Sequence, residues 1–435
     1  MTKLLFITYY WPPSGGPGVQ RGLKFVKYLP GEGVQPIVLT VDPAQASYPI
    51  IDQSLQADVP AEVRVVRTRS FEPLRLLASV MGKEAVPHSG FAGSAKPGPL
   101  QKAMRWVRGN WMIPDARRGW VRHAVRAAAR IIAEDRIDTI LVSSPPHSSQ
   151  LIGLELKKRF PHLRWIADLR DPWTDIYFAK ELMKGAAASR RDAAWEARVL
   201  READAVVVVG PSMQQLFAQR YGADVARRIH VVPNGYDGTD LKGLSAHVSR
   251  SGTFRITYVG SMAGSYAPEA FFAAVRSAQQ RSTARIELRF VGGISPEVKE
   301  AADKAGVNAL CTWVPAVPHA EAVREMADAD LLLLVVPHVD GEEHIITGKV
   351  FEYLATERPI LAIGPVHGDA AAIVAECAAG RTFDRSMTEA ITEHLVDLIA
   401  RAEAGEDLRV QGRIHVRYER HATTAQLARL VRGDA

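Results

Sequence analysis

The sequence predicts an α/β protein built from two doubly wound domains, and three observations lead to this prediction. Strand-like and helix-like segments alternate from residue 3 to residue 232. The alternation stops at a glycine-rich polar stretch, 234–252, and starts again at Phe254. Segments that alternate in this way form parallel sheets with helices on both faces. A chain of 435 residues is long enough for two such domains, because a domain usually has about 150 residues.

The first run contains seven strand candidates and five helix candidates. Each strand candidate is a short apolar run between Gly, Pro or polar residues, which is typical of a strand buried on both faces. The strand candidates are residues 3–9, 36–41, 63–67, 139–143, 165–168, 205–209 and 230–232. The helix candidates are residues 19–29, 118–135, 147–160, 189–203 and 211–221. Residues 70–115 are rich in Pro and Gly and predict irregular chain with short helical pieces.

The second run has the same character. Its strand candidates are residues 254–259, 285–291, 310–314, 329–335 and 359–363. Its helix candidates are residues 268–280, 295–305, 319–327, 348–356, 369–377, 387–404 and 417–432. We expect an N-terminal Rossmann-like domain over 1–240, with a basic aromatic insert at about 75–120, and a C-terminal Rossmann-like domain over 253–410. Ligands of open α/β sheets bind beyond the carboxyl ends of the strands, so two facing domains predict a ligand cleft between them.

The composition favours a globular protein and argues against several other classes. Hydrophobic residues make up 47% and charged residues 23% of the chain, which is near the globular average. The two cysteines, Cys311 and Cys377, argue against a disulfide-stapled secreted protein and for a reducing compartment. The N-terminus lacks the features of a signal peptide, and no apolar stretch reaches the roughly 18 residues of a spanning helix. We therefore expect a cytoplasmic protein, either soluble or peripheral on a membrane.

The positive charge is concentrated in one segment. The whole chain has a net charge of +6, and residues 101–136 alone hold nine Lys or Arg against three Asp or Glu. Trp106, Trp111 and Trp120, three of the eight tryptophans, lie in the same segment. Basic residues and tryptophan favour the headgroup level of an anionic membrane, whereas a core position for Trp120 and a solvated arginine face are the alternative. No recognition motif accompanies the charge, so we expect no nucleic-acid partner.

Two motifs of the first run follow strand candidates and open helices. Residues 12–18 contain Gly15 and Gly16, and glycines before a helix N-terminus allow a backbone to approach an anionic ligand. Residues 143–149 contain His147, whose imidazole suits proton transfer or a hydrogen bond to a sugar hydroxyl. A tight strand-to-helix turn and a merely polar helix-capping histidine are the structural alternatives.

A third motif, residues 167–174, places two carboxylates, a guanidinium and an indole after a strand. We interpret Arg170 and Asp171 as bracing the loop, with Asp171 and Trp173 on the acceptor side. An ion pair that braces the loop without touching substrate is the alternative. Asn234 and Gly235 form a fourth motif, and the pair predicts a tight turn rather than chemistry.

Two motifs of the second run predict a phosphate site. Gly260 and Ser261 end the first strand candidate of this run, where a glycine permits close approach to a phosphate or base, although a plain turn is the alternative. Thr347, Gly348 and Lys349 begin a helix, so free amides and an ammonium can hold a diphosphate. Residue 352, a glutamate one turn later, can accept hydrogen bonds from two ribose hydroxyls. An exposed Lys–Glu pair on a helix is the alternative.

Together these motifs resemble those of the family 4 glycosyltransferases, which are retaining, nucleotide-sugar-dependent enzymes of the GT-B fold. The resemblance covers nearly the whole chain and depends on the order and spacing of residues 13–21, 168–173, 233–235 and 348–355. It implies two facing Rossmann-like domains with an interdomain cleft. It also implies that a C-terminal helix, 411–435, packs back across the cleft.

The resemblance assigns roles to individual residues. Glu352 matches the second of two family glutamates that are separated by seven residues, and it is the expected ribose ligand. The first position is His344, and whether His344 or the neighbouring Glu343 takes the place of that glutamate near the transferred sugar is open. His147 matches a family histidine that contacts the transferred sugar. The family often has a basic pair after the first strand of the second domain, but residues 260–265 contain no Lys or Arg.

The implied activity is transfer of a hexose-type sugar, with retention, from a nucleoside diphosphate sugar to a glycan or lipid-linked acceptor. The resemblance points to bacterial cell-surface polysaccharide synthesis, with no cofactor and no essential metal ion. Residues 101–136 would then rest on the inner face of the cytoplasmic membrane beside a lipid-linked acceptor. A nucleotide-sugar epimerase of the same architecture and a non-catalytic nucleotide-sugar-binding scaffold are the alternatives.

Overall fold

The computed structural model describes residues 1–72, 99–177, 179–241, 252–410 and 414–434. These residues form two compact units. The N-terminal unit contains residues 1–234 and 420–435, and the C-terminal unit contains residues 235–419. Most of the segment expected as an insert before residue 99, and most of the glycine-rich stretch after residue 241, lie outside the described residues.

The N-terminal unit is built on a seven-stranded parallel sheet with the order β3-β2-β1-β4-β5-β6-β7. Its strands are β1 (Thr2–Thr8), β2 (Val34–Val41), β3 (Val65–Thr68), β4 (Thr139–Ser144), β5 (Arg164–Leu169), β6 (Ala205–Val208) and β7 (Ile229–Val231). All seven correspond to predicted strands. The five residues Leu4–Thr8 of β1 and the whole of β4 are buried, as expected for central parallel strands that are covered on both faces.

Helices cover this sheet. They are α1 (Pro17–Tyr28), α2 (Pro99–Trp111), α3 (Val121–Asp135), α4 (Gln150–Arg159), α5 (Ala186–Glu202), α6 (Pro211–Tyr221) and α7 (Ala223–Ala226). The chain returns to this unit at its end, where α14 (Arg420–Arg432) contributes Leu427 and Leu430 to the core that also contains Leu4 and Val38. The last helix is therefore part of the N-terminal unit.

The C-terminal unit is built on a six-stranded parallel sheet with the order β10-β9-β8-β11-β12-β13. Its strands are β8 (Thr253–Val259), β9 (Arg285–Val291), β10 (Cys311–Val314), β11 (Leu331–Val335), β12 (Ile360–Ile363) and β13 (Gly380–Phe383). Five were predicted, but β13 was not. Its four residues, Gly-Arg-Thr-Phe, contain no apolar run, which is the signal by which the other strands were predicted.

Helices cover this second sheet as well. They are α8 (Glu269–Arg281), α9 (Pro296–Lys304), α10 (His319–Ala327), α11 (Gly348–Ala355), α12 (Asp369–Glu376) and α13 (Thr388–Glu403). One apolar cluster joins α8 and α13 to the sheet through residues such as Phe272, Phe290 and Leu395. A second cluster joins α11 to the sheet through residues such as Phe351 and Leu334.

The direction in which strands are added reverses once in each sheet, and this reversal determines where the motifs lie. In the N-terminal unit it occurs between β1 and β4, and in the C-terminal unit it occurs between β8 and β11. Such a switch point leaves a crevice beyond the carboxyl ends of the strands, where ligands of open α/β sheets bind. The loops after β1 and β4 contain Gly15 and His147, the loop after β8 contains Gly260, and the loop after β11 leads into α11, which carries Lys349.

A buried arginine joins three motifs of the N-terminal unit. Arg21 on α1 donates from Nη2 to Asp168 Oδ1 at 2.9 Å. It also donates to the carbonyls of Val232 and Pro233, at 3.0 and 3.1 Å, and to Asn234 Oδ1 at 3.1 Å. The Ser143 hydroxyl donates to the other Asp168 oxygen at 2.7 Å. The sequence motifs at 13–21, 168–173 and 233–235 are therefore held together by one guanidinium.

We predict that Arg21→Met lowers the free energy of unfolding by about 3–5 kcal/mol, because it leaves the Asp168 carboxylate buried without its cation. Urea unfolding followed by tryptophan fluorescence measures this, since seven of the eight tryptophans lie in residues 1–234. Arg64→Met is the matched control. It removes a half-exposed partner of Asp135 and should cost at most about 1 kcal/mol. Equal losses in the two variants would contradict the role given to Arg21.

Candidate functional site

In the C-terminal unit, the site begins at the N-terminus of α11. Thr347 precedes the helix, and its hydroxyl accepts a hydrogen bond from the Lys349 backbone N–H at 3.2 Å. This cap fixes the first turn and satisfies one of its free donors. The remaining N–H groups of the first turn and the positive end of the helix dipole favour a bound anion.

The Lys349 ammonium lies against the loop that follows β8. Its Nζ donates to the Tyr258 hydroxyl at 2.6 Å and to the Ser261 carbonyl at 3.4 Å, and it lies 4.5 Å from the centre of the Tyr258 ring and 5.6 Å from that of Tyr266. Burial lowers the pKa of Lys349 to about 8, although Glu352 opposes this shift. The lysine is therefore a partly desolvated cation that titrates near neutrality.

Gly260 makes this arrangement possible. Its φ is +122°, and a Cβ on this residue would lie 2.2 Å from Lys349 Cε. Any other residue would therefore be strained and would push the lysine away from the loop. The sequence indicates Gly260 as a position of close approach. In this structure the Lys349 side chain occupies the space beside it.

Tyr353 and Glu352 complete the first two turns of α11. The buried Tyr353 hydroxyl accepts a hydrogen bond from the Val259 backbone N–H at 3.0 Å, which ties α11 to the end of β8. Burial raises the pKa of Tyr353, so it stays a neutral phenol. Glu352 is half-buried, and its charge acts on Lys349. Lys349 and Glu352 therefore lie one turn apart on α11, while a role for either in donor binding stays a prediction.

The loop before α11 contains the predicted His344 and Glu343. His344 Nε2 lies 3.4 Å from a Glu343 carboxylate oxygen. In the same loop, Glu342 forms an ion pair with Arg385 at 3.0 Å. Arg385 follows β13 and also donates to the Val336 carbonyl, so it joins this loop to the end of β11.

In the N-terminal unit, His147 is buried and stacks on Trp173. Its side chain is 8% exposed, the ring centres are 5.0 Å apart, and the planes are inclined by 14°. Within the described residues, neither ring nitrogen has a hydrogen-bond partner. Burial lowers the pKa of His147 to about 4; the Asp115 carboxylate opposes this shift, and Lys184 and Arg170 add to it. His147 is therefore neutral at pH 7 and can donate from one nitrogen and accept at the other.

Asp115 and Trp173 hold this histidine in place. Asp115 accepts from the Ser148 N–H and the Ser148 hydroxyl, each at 2.7 Å, and so fixes the turn that carries His147. Trp173 is only 2% exposed, and its indole N–H donates to Asp192 at 2.8 Å. These contacts give Trp173 a positioning role behind His147. Contact between Trp173 and an acceptor stays a prediction.

The two residues before this tryptophan differ in their surroundings. Arg170 donates to the carbonyls of Gly18, Ser144 and Pro145 at 2.7, 3.1 and 3.0 Å, so it joins the first turn of α1 to the end of β4. Asp171 has no hydrogen bond to its carboxylate among the described residues. Burial raises the pKa of Asp171, while Arg170 lowers it. Arg170 is therefore a brace, while a role for Asp171 on the acceptor side stays a prediction.

The glycine-rich loop is paired to a neighbouring segment. Gly15 N–H donates to the Ile50 carbonyl at 2.9 Å, and Ser14 forms a bridge with Ile51. Gly16 has a φ of +92°, which turns the chain into α1. The backbone of this loop is thus held at the carboxyl end of β1, while a role for Gly15 and Gly16 in donor binding stays a prediction.

The sequence did not indicate four further residues that lie around these sites. Tyr258, Tyr266 and Arg385 surround the loops of the C-terminal unit, and Asp115 supports His147. Tyr258 and Tyr266 lie on either side of Gly260 in the sequence, but a tyrosine near a strand end does not by itself indicate a contact with a distant lysine. Arg385 follows the strand that was not predicted, and Asp115 lies in a segment interpreted as irregular.

The basic aromatic segment has two different faces. On α2, the Trp106 and Trp111 side chains are 46% and 77% exposed. Arg105, by contrast, is only 11% exposed and lies 3.8 Å from Glu181. Trp120 is buried, and its N–H donates to Thr68 Oγ1 at 2.8 Å. The assignment of all three tryptophans to an interfacial face is therefore wrong for Trp120, which is a core residue. No helix in the described part of the chain is long and apolar enough to cross a membrane.

Comparisons with known proteins agree with this geometry. Residues 77–239 match the family model described as Glycosyltransferase Family 4. No curated protein sequence matches the chain. The structure is similar to the apo form of the lipopolysaccharide outer core galactosyltransferase WaaB, with 12% identity, a TM-score of 0.62 and full coverage of both chains.

Two further structures show how widely the fold is used. HepE from Anabaena, solved in complex with UDP-glucose, is 14% identical, with a TM-score of 0.57 and full coverage of both chains. An enzyme from Listeria monocytogenes, described as a putative UDP-N-acetylglucosamine 2-epimerase, is 10% identical, with a TM-score of 0.58 and coverage of 99% of this chain and 96% of the other. At these identities the similarity establishes the fold alone.

The resemblance seen in the sequence is therefore confirmed by two independent comparisons. The structural neighbours share the two parallel sheets with flanking helices, and the family match covers residues 77–239, which lie almost wholly in the N-terminal unit. The chain therefore has the two-sheet fold of the GT-B glycosyltransferases, and its residues 77–239 match Glycosyltransferase Family 4.

Proposed function

We propose that this enzyme transfers a sugar from a nucleoside diphosphate sugar to a glycan or lipid-linked acceptor, with retention of the anomeric configuration, in the synthesis of a bacterial surface polysaccharide. The observation that carries the proposal is the position of Lys349 at the start of α11, beside the loop after β8. HepE, whose structure contains UDP-glucose, supports a donor of this class.

The C-terminal unit supplies the groups that a nucleoside diphosphate requires. The first-turn N–H groups of α11 and the Lys349 ammonium would bind the diphosphate, because both present positive charge where α11 begins. Glu352 would accept hydrogen bonds from two ribose hydroxyls. Gly260 and Ser261 would let the backbone approach the phosphates. Because residues 260–265 contain no Lys or Arg, Lys349 would provide most of the neutralising charge.

The N-terminal unit supplies neutral and acidic groups. His147 would hydrogen-bond a hydroxyl of the transferred sugar, since both of its nitrogens lack partners among the described residues. Its low pKa makes it a neutral hydrogen-bonding group rather than a charged acid. Asp171 would bind an acceptor hydroxyl. His344, with Glu343 3.4 Å away, would take the place of the first family glutamate near the transferred sugar.

The Lys349 proposal predicts a specific pH dependence of donor binding. The ammonium is charged below its pKa of about 8 and neutral above it. The dissociation constant of UDP-glucose, the first donor to test, should therefore be constant between about pH 6.5 and 7.5 and increase as the pH rises above about 8. Lys349→Met should weaken binding about 10–100-fold at pH 7, as expected for a charge-assisted hydrogen bond, and should remove the pH dependence.

Calorimetric titration measures both effects. If UDP-glucose does not bind, other nucleoside diphosphate sugars are titrated in the same way. Lys304→Met is the control, because Lys304 is an exposed lysine at the end of α9. Binding of every donor by Lys349→Met as tightly as by the wild type would refute the proposed donor site. Release of free epimerised sugar nucleotide without transfer would favour the epimerase alternative.

The role of His147 predicts a loss of turnover with little loss of donor affinity. If its imidazole contacts the sugar more strongly in the transition state, His147→Ala should lower kcat at least about tenfold and change the donor dissociation constant less than about twofold. His162→Ala, which alters an exposed histidine, serves as the control in the same steady-state assay. An unchanged kcat with saturating acceptor would leave His147 with a structural role.

We also propose that α2 rests on an anionic membrane surface. The exposed Trp106 and Trp111 project from this helix, and Met183, 48% exposed, is held beside it through Asn110 Nδ2, which donates to the Met183 carbonyl at 3.1 Å. Exposed Lys102 adds positive charge on the same helix. Tryptophan favours the headgroup level, and nearby cations add affinity for anionic lipid.

Vesicle co-sedimentation tests the membrane proposal. The wild type should bind vesicles that contain phosphatidylglycerol, bind phosphatidylcholine vesicles weakly, and lose binding between about 50 and 500 mM NaCl. Trp106→Ser combined with Trp111→Ser should abolish binding, whereas Met387→Ser, which changes an exposed apolar residue of the C-terminal unit, should not. Recovery of the wild type in the supernatant under all conditions would exclude this surface.

A further inference from the structure

The imidazole of His147 is oriented by the indole that stacks on it. The ring centres of His147 and Trp173 are 5.0 Å apart, and the planes are inclined by 14°. Neither ring nitrogen of His147 has a hydrogen-bond partner among the described residues, so no hydrogen bond to them fixes the ring. Asp115 accepts from Ser148 and fixes the turn, but not the imidazole itself. The orientation of the imidazole therefore depends on the position of Trp173.

Trp173 is held in turn by a carboxylate on α5. Its indole N–H donates to Asp192 Oδ1 at 2.8 Å, and both residues are almost fully buried. An indole has a single donor, so this bond fixes the direction in which that edge of the ring points. The buried Trp11 and Trp165 leave their indole N–H groups without a partner among the described residues. The protein thus tolerates an unpaired indole donor, which indicates that the bond to Asp192 serves the position of Trp173.

The Asp192 carboxylate forms a buried ion pair. Lys184 Nζ donates to Asp192 Oδ2, and the side chains are 13% and 2% exposed. A carboxylate taken out of water is costly unless it is paired, and a charged acceptor forms a stronger hydrogen bond than a neutral one. The lysine therefore stabilises the group that holds the indole.

The segment that contains Lys184 is fixed to α2. Asn110 Nδ2 donates to the Met183 carbonyl at 3.1 Å, and Asn110 Oδ1 accepts from the Gly185 N–H at 2.8 Å, so one side chain binds both neighbours of Lys184. At Gly109, a Cβ would lie 1.9 Å from the Leu182 carbonyl oxygen, so the helix and the segment are in close contact. A continuous set of contacts thus leads from α2 to His147.

A second buried carboxylate on α5 provides a comparison. Glu196, one turn after Asp192, accepts from the Thr174 backbone N–H at 2.8 Å and pairs with Arg220 at 3.1 Å. Two ion-paired carboxylates therefore hold consecutive residues of the same loop. They differ in what they hold, because Asp192 binds the side chain that touches His147, whereas Glu196 binds Thr174.

We propose that Asp192 is a positioning residue for sugar transfer, because it orients Trp173 and thereby the His147 imidazole. This inference rests on the proposed function, since it takes His147 as the group that contacts the transferred sugar. A displaced imidazole would cost turnover rather than donor affinity if its hydrogen bond is strongest in the transition state. Lys184 lowers the pKa of His147, so a lysine left without Asp192 would keep the imidazole neutral. The loss would then reflect the position of the imidazole and not its charge.

Turnover of the full chain tests this role, measured as UDP release from saturating UDP-glucose with water as the acceptor. Asp192→Ala should lower kcat at least about fivefold and change the donor dissociation constant less than about twofold. Asp192→Asn, which keeps an acceptor for the indole, should recover part of the loss. Glu196→Gln is the matched control and should change kcat less than about twofold.

A double substitution shows whether Asp192 acts through His147. In the His147→Ala background, Asp192→Ala should lower kcat less than about twofold further, because the imidazole that it positions is already absent. Trp173→Phe keeps an aromatic face but lacks the indole N–H, and it answers the same question if Asp192→Ala does not fold.

Chemical labelling measures the position of His147 independently of the reaction. Diethyl pyrocarbonate modifies accessible neutral imidazoles, and peptide mass spectrometry compares His147 with the exposed His162. Asp192→Ala should speed the modification of His147 at least about threefold relative to His162, because loss of the stack opens the site locally. Glu196→Gln should leave this ratio unchanged.

The outcomes separate this inference from the proposed function. An unchanged kcat in Asp192→Ala, equal effects of Asp192→Ala and Glu196→Gln, or an equal loss from Asp192→Ala with and without His147 would overturn the inference. A wild type that releases no UDP contradicts the proposed donor alone, and the labelling then decides whether Asp192 holds His147.

Discussion

The buried ion pair between Arg21 and Asp168 is the interaction on which the N-terminal unit depends. A guanidinium taken out of water is tolerated only if its donors are satisfied, and Arg21 satisfies them with a carboxylate, two carbonyls and an amide oxygen. The partners of Arg21 lie on β5 and in the segment after β7. The ends of these segments are thereby fixed relative to α1. Arg170, two residues after Asp168, is consequently held at the switch point.

The polar groups near the switch points differ between the two units. In the N-terminal unit, Arg170 donates to three carbonyls, whereas the ring nitrogens of His147, which stacks on Trp173, have no hydrogen-bond partner among the described residues. In the C-terminal unit, a single lysine lies against a glycine-containing loop and two tyrosine rings. A cation that is partly desolvated before the donor arrives interacts more strongly with a diphosphate than a solvated one.

The sequence predicted the fold class and twelve of the thirteen strands, because buried parallel strands are continuous apolar runs. It could not predict β13, whose sequence Gly-Arg-Thr-Phe has no apolar run, and so it could not place Arg385. Trp120 was placed on an interfacial face although it lies in the core. Charge and aromatic content alone do not distinguish a core tryptophan from an interfacial one. The motifs after β4, β5 and β8 could be located because switch-point loops hold polar residues, but their partners, such as Asp115 and Tyr266, depend on tertiary contacts between distant segments.

The central claim is that the C-terminal unit binds a nucleoside diphosphate where α11 meets the loop after β8. Hydrogen–deuterium exchange of the full chain, with and without saturating UDP, measures this most directly, because bound phosphates protect the amides that they contact. We expect slower exchange in peptides that cover residues 258–266 and 345–353, and unchanged exchange in α9, whose residues lie outside the site. Protection confined to the N-terminal unit, or none with any nucleoside diphosphate, would contradict the account.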